Sequence, residues 1–266
     1  MPISHRGARR PLFSSRPEAI DGCGRTGRSD MYHVIVVAGS SGADVVYVMP
    51  AFNEGVVIAS VVEELRREAP PGFILVVDDA SHDDTPTRAA EAGATVVRHP
   101  INRGQGAALQ TGFDAAQRLG AKIVVTFDAD GQHRAADVPR LLEALASTGA
   151  DVALGSRFLS SNDIPPLRKG LLRLAVVFTR LVSRIAVTDT HNGLRAIRTH
   201  VLPRLRLHED RMAHASELLD LISAGGIRFV EVPCSVTYSE YSRAKGQRSS
   251  TAPRVAIEFL FGKLMR

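Results

Sequence analysis

The chain has 266 residues, of which 44% are apolar and 23% charged, with a formal net charge of +5; this balance fits a globular domain with a substantial core and excludes a largely disordered or membrane-embedded chain. No uncharged apolar run reaches the roughly 20 residues needed to cross a bilayer. Cys23 and Cys234 match neither a metal-ligand spacing nor a disulfide framework, which points to a reducing compartment, the cytoplasm.

In chain order, residues 1–30 carry six Arg against Glu18, Asp21 and Asp30. They contain no apolar core of the kind a secretory signal needs, so they read as a disordered leader, with Met31 as an alternative start. The apolar run Tyr32–Ala38 precedes Gly39-Ser40-Ser41-Gly42. That turn lacks the full glycine fingerprint of a phosphate-binding loop and no helical pattern follows it, so an edge strand or extended segment is expected. From Val45 onward, short and mostly β-branched apolar runs alternate with amphipathic stretches. Strands are expected at Val45–Met49, Phe73–Val77, Thr95–Arg98, Lys122–Phe127 and Asp151–Leu154, and helices at Val57–Ala69, Thr85–Ala92, Gly106–Leu119 and Asp137–Ser147. The alternation predicts an α/β fold, a mostly parallel sheet flanked by helices, in one catalytic domain at 31–250. Leu171–Val187 reads as a further helix with Arg173, Arg180 and Arg184 sharing a face, either solvated or phosphate-binding. The stretch 251–266 reads as an amphipathic helix too short to span a membrane. Its stripe is Ile257, Leu260, Phe261 and Leu264, with Arg254, Lys263 and Arg266 available to anionic headgroups.

Ligands of open α/β sheets bind beyond the carboxyl ends of the strands, so polar residues just after apolar runs are the first candidates. Three such placements follow in succession: Pro50-Ala51-Phe52-Asn53-Glu54, Asp78-Asp79-Ala80-Ser81, and Asp128-Ala129-Asp130-Gly131-Gln132-His133. Any one Asp could serve a turn or cap a helix. The alternating pair Asp128 and Asp130 can also reach one hard divalent cation, Mg²⁺ or Mn²⁺, with a diphosphate on the same ion.

These segments, with Asn102-Arg103-Gly104 and Gly155-Ser156-Arg157-Phe158, resemble the ordered motifs of family 2 glycosyltransferases, and within them the dolichol- or polyprenyl-phosphate mannosyl- and glucosyltransferases. The resemblance runs from about Val45 to Ser249. It implies a GT-A fold that binds a nucleotide-sugar donor, GDP-mannose or UDP-glucose, and transfers the hexose with inversion to a polyprenyl phosphate. Pro50, Phe52, Glu54, Val77 and Asp79 would line the base and ribose pocket, and Gly104 and Gly106 would let backbone approach the nucleotide. Asp128, Ala129, Asp130 and Gln132 would hold metal and diphosphate. Arg157 would contact phosphate, Arg168 would lie near the acceptor, and Asp189, in Asp189-Thr190-His191-Asn192-Gly193-Leu194-Arg195, would orient it or cap a turn. Tyr238–Gln247 resembles a flexible lid whose Arg243 would reach the diphosphate; Ser249 stands where mannose-transferring relatives carry Lys, a place Arg248 or Lys245 would have to fill. The acceptor implies a peripheral position on the inner face of the cell membrane, or a small membrane partner, and no nucleic acid.

A phosphate acceptor is already anionic near neutral pH and needs no strong base. A sugar hydroxyl would need a carboxylate base, for which Asp189 and Glu217 are the candidates. Two rivals remain: a nicotinamide-dependent oxidoreductase, whose glycine fingerprint is missing after the first strand, and a non-catalytic nucleotide-binding module, against which the intact Asp128, Asp130 and Gln132 argue.

Overall fold

The computed structural model describes residues 43–160 and 184–237, the backbone of His33–Ile35, and Gly170, Val176, Val177, Arg180 and Ser183. Among them the elements are β1 (His33–Ile35), β2 (Val45–Ala51), α1 (Ile58–Glu68), β3 (Phe73–Asp78), α2 (Thr85–Glu91), β4 (Thr95–Arg98), α3 (Gln105–Arg118), β5 (Ile123–Thr126), α4 (Val138–Thr148), β6 (Val152–Ser156), β7 (Arg195–Arg198), α5 (His214–Ala224) and β8 (Phe229–Pro233). The expected elements from Val45 to Leu154 are all present, with ends moved by one or two residues.

One sheet runs in the order β1-β4-β3-β2-β5-β7-β6-β8. Six of these strands are parallel, while β1 at the edge and β7 inside run against them. β1 takes the edge position expected for the run at 32–38. Strands buried on both faces need continuous apolar sequence, and β2 has it. Tyr47 and Met49 pack with Ile58, Leu65, Leu141 and Leu145 on one face, while Val46 and Val48 pack with Leu109, Phe113, Leu218 and Ile222 on the other. Helix α1 shows the same logic at helical spacing: its buried residues are Ile58, Val61, Val62 and Leu65, each contributing roughly 1.5–3 kcal/mol on burial.

Pro50 sits in a central strand, where a missing N–H is normally costly. Its register explains the tolerance. Pairing between β2 and β5 ends at Val48 and Thr126, whereas pairing with β3 continues to Ala51. The Val48 carbonyl accepts from Phe127 N on the β5 side and the Ala51 carbonyl accepts from Asp79 N on the β3 side, so an N–H at position 50 would face β5 after that strand has already left. The sheet therefore opens between β2 and β5 at the point where the donor is absent.

The expected helix Leu171–Val187 needs correction at its end. Gly170, Val176, Val177, Arg180 and Ser183 are helical, but Arg184 has φ 51° and cannot continue the row with Arg180. Arg180 instead donates from Nε to the Val187 carbonyl at 2.9 Å, so it tethers the chain that leaves the helix. Arg173 lies outside the described residues. Among the described residues no helix is long and apolar enough to cross a membrane.

Candidate active site

The loops after β2 and β3 lock each other through side-chain to backbone bonds. Asn53 N donates to Ser81 Oγ, Glu54 N to Thr85 Oγ1 (both 2.8 Å), Gly55 N to Asp83 Oδ2 at 3.0 Å, and His82 N to Asn53 Oδ1 at 2.8 Å. Polar residues of both motifs thus fix the two loops to each other. Phe52 is 37% exposed and edge-on to His82. Pro50 and Val77 face each other in register and Glu54 is buried.

Asp79 is buried. Its Oδ1 accepts from Arg103 N at 2.9 Å and meets His99 Nδ1 at 2.7 Å, its Oδ2 accepts from Gly104 N at 2.6 Å, and the ring of His99 continues to Thr111 Oγ1. Burial alone would raise the carboxyl pKa, but the hydrogen bonds from His99, Arg103 and Gly104 hold it below the usual range. Asp79 therefore anchors the Asn102–Gly104 loop at the start of α3. The neighbouring Asp78 pairs with Arg98 at 3.1 Å.

Gly104 has φ +107°, and a Cβ there or on Gly106 would collide with the carbonyls of Asp210 and Glu209. Close approach is thus required by the chain's own 208–211 loop. Glu217 on α5 holds that loop: fully buried, it accepts from His208 N at 2.9 Å and Glu209 N at 2.8 Å. A carboxylate committed to backbone N–H groups in the core cannot take a proton from an acceptor, so the role of Glu217 as candidate base is corrected to that of a loop anchor.

Leaving β5, Asp128 and Asp130 are half-buried on one loop. Asp128 Oδ1 accepts from Gln105 Nε2 at 3.1 Å and its Oδ2 meets His133 Nε2 at 3.0 Å. Asp130 accepts from Gln132 N at 3.0 Å and from the Gln132 side chain. Their titration diverges. Burial and the charge of Asp128 push the Asp130 carboxyl up, whereas Asp128, despite burial, is held down by the hydrogen bond and charge of His133 and by Arg195. A raised, crowded carboxylate beside an anionic one is the electrostatic setting a divalent cation relieves. Among the described residues no three His, Cys, Asp or Glu side chains are grouped to hold an ion.

Arg157 and Asp189, read from separate motifs, form one buried ion pair. Arg157 Nε meets Asp189 Oδ2 at 2.6 Å and Nη2 meets Oδ1 at 3.3 Å, while Nη2 also donates to the His191 carbonyl at 2.8 Å. The Asp189 segment is fixed from behind by Glu231, which accepts from Thr188 N at 2.8 Å and Asp189 N at 3.3 Å. Arg195 on β7, 3% exposed, stands opposite Thr126, two residues before Asp128. Burial lowers its pKa and the charges of Asp128 and Asp189 oppose that shift. His214 on α5 is driven to about 4 by burial and by Arg195, so it is neutral at pH 7.

The structure thus brings Asp128, Ala129, Asp130 and Gln132 together at the end of β5, with Arg157 and Asp189 beyond β6 and the Phe52, Glu54 and Asp79 loops beyond β2 and β3. Arg168, Arg243, Lys245, Arg248, Ser249 and the 251–266 stripe lie outside the described residues. Gln105, His133, Arg195, His214 and Glu231 received no role from sequence. The partners of Gln105 and Glu231 stand far away along the chain, so only the fold reveals those pairings, whereas His133 meets Asp128 five residues before it.

The profile described as Glycosyl transferase family 2 matches residues 47–206. A UDP-N-acetylglucosamine–dolichyl-phosphate N-acetylglucosaminyltransferase of Methanococcus voltae is 32% identical, covering 82% of this chain and 95% of that one. A polyprenol monophosphomannose synthase of Mycolicibacterium smegmatis is 31% identical, covering 74% of this chain and 79% of its own length. Among solved structures, the Mycobacterium tuberculosis glucosyl-3-phosphoglycerate synthase in complex with Mg²⁺ and uridine diphosphate superposes with a TM-score of 0.64 at 21% identity, over 83% of this chain and 78% of that one.

Proposed function

The chain belongs to glycosyl transferase family 2 and is a glycosyltransferase of GT-A architecture; from that premise we propose that it transfers a hexose, with inversion and assisted by Mg²⁺ or Mn²⁺, from a nucleoside-diphosphate sugar to a polyprenyl phosphate. GDP-mannose and UDP-glucose are the donors proposed, and the similarity to polyprenyl- and dolichyl-phosphate glycosyltransferases supports the acceptor class.

The observation that carries the acceptor assignment is the Arg157–Asp189 pair. Asp189 is bound on both carboxylate oxygens by Arg157, and Glu217 is bound by backbone amides. Both carboxylates considered as bases for a hydroxyl acceptor are therefore committed elsewhere. A phosphate acceptor arrives as an anion and asks only to be positioned. Arg157, in this reading, turns its cation toward that anion from a rigid, buried base.

Asp130, Asp128 and Gln132 would hold the cation, which when bound offsets the charge developing on the departing nucleoside diphosphate. The loops at Asn53–Gly55 and Asn102–Gly104 would seat the nucleoside, with Phe52 against the base. The 251–266 stripe would lay the protein on the cytoplasmic membrane surface, where the lipid-borne acceptor is reached.

The test is transfer from GDP-[¹⁴C]mannose and UDP-[¹⁴C]glucose to undecaprenyl or dolichyl phosphate, against a panel of sugar hydroxyl acceptors, with Mn²⁺, Mg²⁺ or EDTA. Labelled lipid formed only with the phosphate acceptor and abolished by EDTA is the expected result; transfer to hydroxyls alone would overturn it. Flotation of wild type and Leu260→Asp/Phe261→Asp protein with anionic vesicles at low and high salt tests the membrane role, which is sunk if both float equally or wild type stays below.

A further inference from the structure

We propose that Thr188 and Glu231 are positioning residues for Arg157. A hydroxyl relay that ends on the Glu231 carboxylate ties residues 156–158 to 188–189, and so sets where the guanidinium meets an acceptor phosphate. The proposal rests on the reading of Arg157 as the group that receives that phosphate.

Two neighbouring strands supply the parts. β6 and β8 pair in parallel with Leu154 opposite Glu231, and residues two apart on a strand share a face. Leu154 packs in the cluster that holds Ile185 and Val187. Ser156 and Glu231 therefore point to the side of the sheet along which the chain runs from Ile185 to Thr188, and both reach that threonine.

The protons of this relay have one direction. An ionised carboxylate only accepts, so Thr188 Oγ1 gives its proton to Glu231 Oε1 at 2.9 Å. With no second proton to offer, the same oxygen accepts from Ser156 Oγ at 2.6 Å. Ser156 Oγ in turn accepts from Phe158 N at 3.3 Å. Between Ser156 and Phe158 stands Arg157, whose own N donates to Asp189 Oδ2 at 3.1 Å. Glu231 closes the circuit by accepting from Thr188 N at 2.8 Å and from Asp189 N at 3.3 Å. The backbone under both members of the Arg157–Asp189 pair is thus referred to one carboxylate, and hydrogen bonds in a chain that ends on a charge reinforce one another. Arg157 carries its cation without the relay; what the relay supplies is its place.

Thr188→Val matches threonine in shape and deletes the hydroxyl, leaving Arg157 and Asp189 intact. In the full chain, with labelled-lipid formation as the assay, the KM for undecaprenyl phosphate should rise about tenfold, the scale of one or two lost hydrogen bonds. The donor KM should stay unchanged and kcat should fall less. Thr188→Ser restores the relay and should return the acceptor KM to near wild type. Glu231→Gln keeps an accepting oxygen but no charge, and should raise the acceptor KM by a smaller factor. A scaffold role alone has another signature: a smaller folded fraction lowers kcat and leaves both KM values where they were. That result, or a Thr188→Val acceptor KM equal to wild type while Arg157→Lys, which loses the guanidinium fork, raises it, would overturn the relay. An acceptor KM that Arg157→Lys leaves unchanged would instead overturn the reading of Arg157 on which the relay rests. Circular dichroism checks folding, and if Thr188→Val does not fold, Glu231→Gln carries the same comparison.

Discussion

The two sides of the catalytic edge use charge differently. Beyond β2, β3 and β4, two carboxylates are matched to backbone N–H groups, Asp79 to Arg103 and Gly104 and Asp83 to Gly55, beside the Asp78–Arg98 pair. Beyond β6 a charge is matched to a charge, the buried Arg157 to Asp189. A carboxylate on amides sets a loop's shape and loses little if charge nearby changes. A buried ion pair sets a field, and losing one partner strands the other. On the first side the bonds hold loop shape; on the second a charge pair is held in the core.

The largest effect expected from this contrast is at Arg157. Arg157→Met strands Asp189 in the core and should cost about 3–5 kcal/mol of stability together with transfer activity, read by urea denaturation and the labelled-lipid assay. A variant as stable as wild type would erase the difference between the two sides. Asp130→Ala should act on chemistry alone: transfer falls by at least about a hundredfold, from the several kcal/mol a catalytic metal supplies, while the thermal midpoint holds or rises because a carboxyl pushed up by burial and Asp128 is removed. Activity above roughly a tenth of wild type would remove Asp130 from the metal site.

Asp79→Ala tests the shape-setting side. With two backbone donors left unpaired it should weaken binding of donor and free nucleoside diphosphate alike, by about 1–3 kcal/mol, without changing Mn²⁺ affinity; calorimetry that finds normal nucleotide affinity would leave the loop anchor without consequence for the pocket. The smallest effect is a slope with pH. His214 titrates at 6.5 when unfolded and about 4 in the fold, so the unfolded chain binds the extra proton in that window. Its contribution to stability is present above pH 6.5 and is lost as pH falls towards 4. Urea midpoints measured across this range should decline for wild type and decline less for His214→Gln, and parallel curves would show that burial in the fold does not lower the pKa of that site.

How far the sequence could be read differs between the same two sides. The first half is written in local signals. Val45–Met49 and Phe73–Val77 are continuous apolar runs, each followed at once by its polar residues, and helices such as α1 repeat at their own period. β7 carries no such signal: Arg195-Ala196-Ile197-Arg198 begins and ends with a cation. Arg195 is nonetheless buried, which no local period encodes. Glu217 shows the converse error. Its charge made it a candidate base, whereas the fold encloses it beneath two amide groups 8 and 9 residues away in the chain.

The loop that Glu217 holds also bears on how the molecule is made. Gln110 on α3 accepts from Leu207 N, 97 residues later, and the Asp210 carbonyl closes on Ala107 N. On a ribosome adding about 5–20 residues each second, α3 emerges roughly 5–20 s before its lid of backbone arrives. During that interval the glycines at 104 and 106 face an empty slot. The first half of the sheet, encoded early, thus waits on contacts encoded later, and a chain released before α5 would carry Gly104 and Gly106 without the anchored 208–211 loop that packs on them.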